Sequence, residues 1–124
     1  MVNQKINLDY LLEIAKDDYY FLQKTLESMI LQITQFTPQV KIYAATYNLL
    51  DLGGSLHKLK PCFKIIGANF LELTINDLEA AIAAGRSNQV IHELTDKLIV
   101  HLEVILPQLY LERDNYSNLN NSST

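Results

Sequence analysis

The chain has 124 residues, enough for one ordinary domain and too few for a cofactor domain joined to a substrate domain. With 48% hydrophobic and 19% charged residues it can bury one core, which excludes wholesale disorder, and its net charge of −4 is opposite to the footprint of a nucleic-acid binder. The single Cys62 closes no internal disulfide, no apolar run approaches the roughly 18 residues of a membrane span, and MVNQKINLDY lacks the pattern of a secretory leader. A cytoplasmic monomer, with neither membrane nor nucleic acid as partner, is therefore expected.

Helical periodicity runs through almost the whole chain. A short first helix is predicted from Leu8 to about Ala15, with Asn7 as N-cap and Leu8, Leu11, Leu12 and Ala15 on one stripe. Asp17 is expected to cap a longer second helix, in which Leu22, Leu26, Met29, Ile33 and Phe36 step by four and three. Thr37-Pro38 then reads either as a new N-cap with proline at the first helical position or as a kink. Residues 39–47 are the least legible stretch. Asn48, with Asp51 three residues on, caps a third helix carrying Leu49, Leu52, Leu56, Leu59, Phe63, Ile66 and Phe70.

Gly67 and Asn69 break that helix, and a fourth buries Leu71, Ile75, Leu78 and Ile82 before a turn at Gly85-Arg86-Ser87. Ser87 or Asn88 caps a fifth, with Ile91, Leu94, Leu98, Leu102, Ile105 and Leu109 on its apolar face and Pro107 near its end. The expected fold is all-α: an antiparallel four-helix bundle with a short additional N-terminal helix over residues 1–114. Residues 115–124 are expected to form a polar, disordered tail.

At about 100° per residue, His57 falls far from the apolar seam of the third helix, so its ring is expected to face water. Gly53, Lys60 and Lys64 share that flank, at four residues before and three and seven after the histidine. From Leu52 to Leu71 the chain has Lys58, Lys60 and Lys64 and no acid, so three of its ten bases gather around one exposed histidine. An imidazole that accepts a phosphoryl group needs open access, one unprotonated ring nitrogen and cations for the phosphoryl oxygens. A plain solvated helix face is the competing reading.

The run GSLHKLKPCFKIIGANFLELTINDLEAAI resembles the signature of histidine-containing phosphotransfer domains, the small helical bundles of two-component phosphorelays. The likeness rests on His57, Leu59-Lys60, Gly67 ten residues downstream, Asn48 nine upstream and the helix ending in Leu78-Glu79. It implies that His57 is the phosphoacceptor, that Lys60 and, less directly, Lys64 contact the phosphoryl group, and that Glu79 hydrogen-bonds and orients the histidine. It also implies docking on a receiver domain, of a response regulator or of a hybrid histidine kinase, across a surface that includes Gly53, Leu56 and Gly67. The chain would then be a carrier and not an autonomous enzyme. It would need no cofactor of its own, since the receiver supplies the divalent metal. A helical adaptor that docks receivers or other helical proteins without carrying phosphate is the alternative.

Three features depart from the family pattern. Pro61-Cys62 stands where many members have Gly-Ser, Leu56 stands where alanine is common, and the stretch from Pro38 to Asn48 is about one helical turn short. Elsewhere, His101 is expected in the core or at its boundary, His92 exposed, Tyr19, Tyr20 and Phe21 as core aromatics with Tyr19 and Tyr20 not both buried, and Cys62 a small reduced apolar residue. No Glu-x-x-His pair suggests a carboxylate-bridged metal site.

Overall fold

Among the described residues, 4–122, the computed structural model contains five α-helices and no strand. They are α1 (Asp9–Ala15), α2 (Tyr19–Ala45), α3 (Leu49–Ile65), α4 (Asn69–Ala83) and α5 (Asn88–Ser122). Helix α2 packs on α3 and α5, α4 packs on the same two, and α1 lies on α2. The core between them takes Leu22, Leu26 and Ile33 from α2, Leu52, Leu56, Leu59 and Phe63 from α3, Leu71, Ile75 and Leu78 from α4, and Leu98, Leu102, Ile105 and Leu109 from α5, none of them measurably exposed. No helix among the described residues is long and apolar enough to cross a membrane.

All the helices but α4, which starts after Ala68, begin beside a side-chain oxygen that accepts an otherwise unpaired N–H group. Asn7 accepts from the Asp9 N–H at 2.9 Å, and Asn48 from that of Asp51 at 3.4 Å. Ser87 accepts from the Val90 N–H at 3.3 Å. The cap of α2 is Asp18, which accepts from Phe21 at 3.0 Å, and not Asp17 as predicted. Asp17 instead sits with Lys16 in the left-handed region, φ +68° and +48°, where it turns the chain out of α1.

Pro38 neither restarts nor ends α2, which continues to Ala45. Proline forfeits the bond to the Thr34 carbonyl, at a cost of about 3 kcal/mol in a helix interior. Burial of Val40 and Ala44 beyond it extends the apolar stripe and offsets that cost. The Thr37 hydroxyl also donates to the Ile33 carbonyl at 2.7 Å. Pro61 is likewise carried inside α3 and leaves the His57 carbonyl without its usual helical donor.

The predicted frayed tail is helix instead: α5 runs on to Ser122. Its polar residues lie along the start of α2, where the Asn120 amide donates to the Tyr19 carbonyl at 3.2 Å and to Gln23 Oε1 at 2.7 Å, and Tyr116 stacks on Tyr19 with ring centroids 5.9 Å apart. Residues 123–124 lie outside the described part. Tyr19, Tyr20 and Phe21 are all exposed, so none is the core aromatic that was expected.

Helix α3 ends in a Schellman motif: Ala68 N–H donates to the Phe63 carbonyl at 2.8 Å and Gly67 N–H to that of Lys64 at 3.2 Å, with Gly67 at φ +65°. The strand of chain before α1 is fastened at the same place, since Asn7 N–H donates to the Ile66 carbonyl at 2.8 Å. A Cβ on Gly67 would overlap the Asn7 carbonyl oxygen and lie 2.8 Å from the Asn7 Cβ. Gly67→Ala should therefore lower stability by about 1 to 3 kcal/mol, read as a lower urea midpoint at unchanged slope. A midpoint equal to the parent's would mean that Asn7 yields without cost.

Candidate functional site

With Leu52, Leu56, Leu59 and Phe63 all inward, α3 presents Leu50, Gly53, Gly54, His57, Lys60, Pro61 and Lys64 on its outer face. His57 is exposed and makes no hydrogen bond or ion pair among the described residues. It lines an open depression of about 280 Å³ with Lys60, Pro61, Lys64 and Glu72. Asn48 and Asp51 hold the start of this helix reciprocally, the Asn48 amide donating to Asp51 Oδ2 at 2.6 Å.

The expected cations are in place, but they differ in what holds them. Lys60 Nζ donates to Glu79 Oε1 at 3.1 Å across α3 and α4, with the two side chains 39% and 31% exposed. Glu79 thus engages the lysine and makes no hydrogen bond to His57, the partner expected for it. Lys64 is exposed and makes no ion pair among the described residues.

Two of the three expected docking residues are not available as such. Leu56 is fully buried, because it belongs to the same apolar seam as Leu52 and Leu59. Gly67 is partly covered and its free side is occupied by Asn7, so its work is to turn the chain and admit the residues before α1. Gly53 lies under open space, where a Cβ would meet nothing within 4 Å. Leu50, 88% exposed and seven residues before the histidine on the same face, is a surface residue that the sequence reading passed over. Glu72 was missed as well, since it lies just beyond the acid-free stretch and only the packing of α4 on α3 brings it beside His57 and Lys64.

No group of three or more His, Cys, Asp or Glu side chains among the described residues is arranged to hold a metal ion. Compared with protein-family models, with curated proteins and with solved structures, the chain matches none in any of the three sets. What the site can do therefore rests on its own chemistry: an accessible imidazole nucleophile, a paired and an unpaired ammonium, and an apolar approach along Leu50, Gly53 and Gly54.

The other candidates have structural roles. Cys62 is buried, donates to Gln32 Oε1 at 3.1 Å, and has its thiol pushed above the usual value by burial. His92, expected to be exposed, is partly covered by Tyr47, whose ring meets it edge-on at 5.5 Å. His101 is 8% exposed, 5.2 Å from the Phe70 ring, with Nδ1 3.5 Å from the Thr74 hydroxyl oxygen. Burial, and secondarily the Lys97 ammonium, holds it below the ordinary histidine value.

Below a pH of about 6.5 the unfolded chain therefore takes up a proton at residue 101 that the folded chain refuses, and stability falls with falling pH. The contribution is complete above the ordinary histidine value and is lost on the way down to the depressed one. Urea midpoints should accordingly drop as the pH falls below about 6.5, and His101→Gln should flatten that dependence. An equal slope in the variant would assign the pH dependence to other groups.

Proposed function

We propose that the protein is a histidine phosphotransfer protein that accepts a phosphoryl group from an aspartyl phosphate of one receiver domain and passes it to another. The observation that carries this reading is the exposed, unengaged His57 on the outer face of α3, with Lys60 and Lys64 beside it and no acid from Leu52 to Leu71. The packing of α2 to α5 in a closed ring, through connections of three or four residues, supports an antiparallel four-helix bundle as the scaffold. A cytoplasmic location follows from such a role.

In the transfer, one imidazole nitrogen of His57 attacks phosphorus. The N–P bond forms as the P–O bond to the aspartate breaks, and the electron pair of that bond stays on the carboxylate. The return step reverses these changes. The receiver brings the divalent metal, while this chain supplies the nucleophile, cations for the phosphoryl oxygens and a surface that fits the acid-lined receiver site.

Incubation with a phosphorylated receiver domain should give an acid-labile, alkali-stable label that His57→Gln abolishes. A label that survives that change or moves to His92 or His101 would overturn the site. Receiver binding without any label would instead make the protein a non-phosphorylated adaptor.

Gly53 tests the direction of approach. The space above it is open, and glycine in a helix interior costs about 0.5 to 1 kcal/mol against alanine. Gly53→Gln should melt no lower than the parent, yet lose at least tenfold in receiver affinity measured by calorimetry. Full affinity in that variant would place the docking surface on another face.

A further inference from the structure

Two carboxylates of α4, Glu72 and Glu79, lie toward the basic flank of α3, and they are not equivalent. Glu72 lines the depression beside His57, and its carboxylate makes no hydrogen bond or ion pair among the described residues. Glu79 is bonded to Lys60, the cation one helical turn from the histidine. The ammonium best placed to meet a phosphoryl group on His57 is thus already neutralised by a neighbouring acid.

Resting on the phosphotransfer reading, we infer that Glu79 is a positioning residue that competes with the phosphoryl group for Lys60 and so biases the protein toward giving up phosphate. When His57 carries a phosphoryl group, its oxygens and the Glu79 carboxylate draw on one ammonium. If Lys60 turns to the phosphoryl oxygens, the ion pair breaks and a carboxylate is left facing a dianion. If it stays with Glu79, the phosphoryl group keeps little of the positive field. Either course destabilises the phosphorylated form relative to one with an undivided lysine. Lys64 is unpaired, but it stands two turns from the histidine and does not replace Lys60.

Glu79→Gln retains the size and an acceptor for Lys60 and deletes only the charge, so it separates competition from packing. Phosphoramidate serves as the donor: its P–N bond breaks as the bond to the His57 nitrogen forms, and ammonia leaves with the proton. At fixed phosphoramidate and ammonium concentrations the labelled fraction of the full chain reports the exchange equilibrium. A half-exposed ion pair of this kind moves such an equilibrium by about two- to fivefold. Glu79→Gln should shift the ratio of phosphorylated to free His57 upward by that factor, with the helical circular-dichroism spectrum unchanged.

In a Lys60→Ala background the same substitution should move the ratio by much less. Parent and Glu79→Gln ratios that coincide, or a full shift that persists without Lys60, would overturn the competition while leaving phosphotransfer intact. A parent chain that takes no label at His57 from either phosphoramidate or a phosphorylated receiver would overturn the phosphotransfer reading, and the inference with it.

Discussion

Burial of one seam of α3 decides which way its chemistry faces. Leu52, Leu56, Leu59 and Phe63 are all fully buried, each contributing about 1.5 to 3 kcal/mol relative to exposure. Rotating the helix to bring His57 inward would expose them together, at a cost comparable with the whole stability of an ordinary domain. The outward histidine is therefore imposed by its neighbours at one residue before and two after. No hydrogen bond of its own is required to hold it there, so the imidazole remains unengaged.

The ends of α3 set its position along that axis as the seam sets its rotation. At the start, Asn48 and Asp51 hold each other, and Tyr47 before them sits at φ +53°. At the other end the left-handed turn at Gly67 is packed against Asn7, which joins the residues before α1 to the end of the site helix. With α3 fixed at both ends and α4 connected through that same turn, the registry of the two helices brings Glu79 to Lys60 and Glu72 into the depression at His57. The electrostatics of the site are thus a product of the turn.

Much of this was legible in the sequence where a signal is local. The cap at Asn48, the three-and-four spacing of the α3 seam and the exposure of His57 each depend on a few neighbouring residues, and each reads correctly. The end of α2 was hidden because it closes through the same Schellman pattern as α3, Asn48 N–H to the Tyr43 carbonyl, with Tyr47 where a glycine would have marked the stop. The helical nature of residues 115–122 was hidden by composition: what supports it is an amide contact to residues about a hundred positions earlier. Only the family resemblance pointed to Glu79 as a partner of His57, and its choice of Lys60 instead is settled by the packing of two helices. Leu56 adjoins His57 in sequence but belongs to the buried seam, so adjacency along a helix does not make it a neighbour on the surface.

The unequal helix lengths have a consequence for how a pull on one end reaches the other. At 1.5 Å per residue, the 27 residues of α2 and 35 of α5 span about 40 and 52 Å, against about 26 Å for the 17 residues of α3. Gln32 on α2 meets Cys62 near the end of α3, so the first turns of α2 extend past the shorter pair and rest on α1 and the last turns of α5. That end buries Leu11, Leu22 and Leu26 and is tied further by the Asn120 amide and the stacked rings of Tyr19 and Tyr116. Helix α3 faces the opposite half of α2, but the Asn7 N–H bond to the Ile66 carbonyl joins the residues before α1 to the end of the site helix, so a partner gripping the far end pulls on that helix at its Gly67 turn.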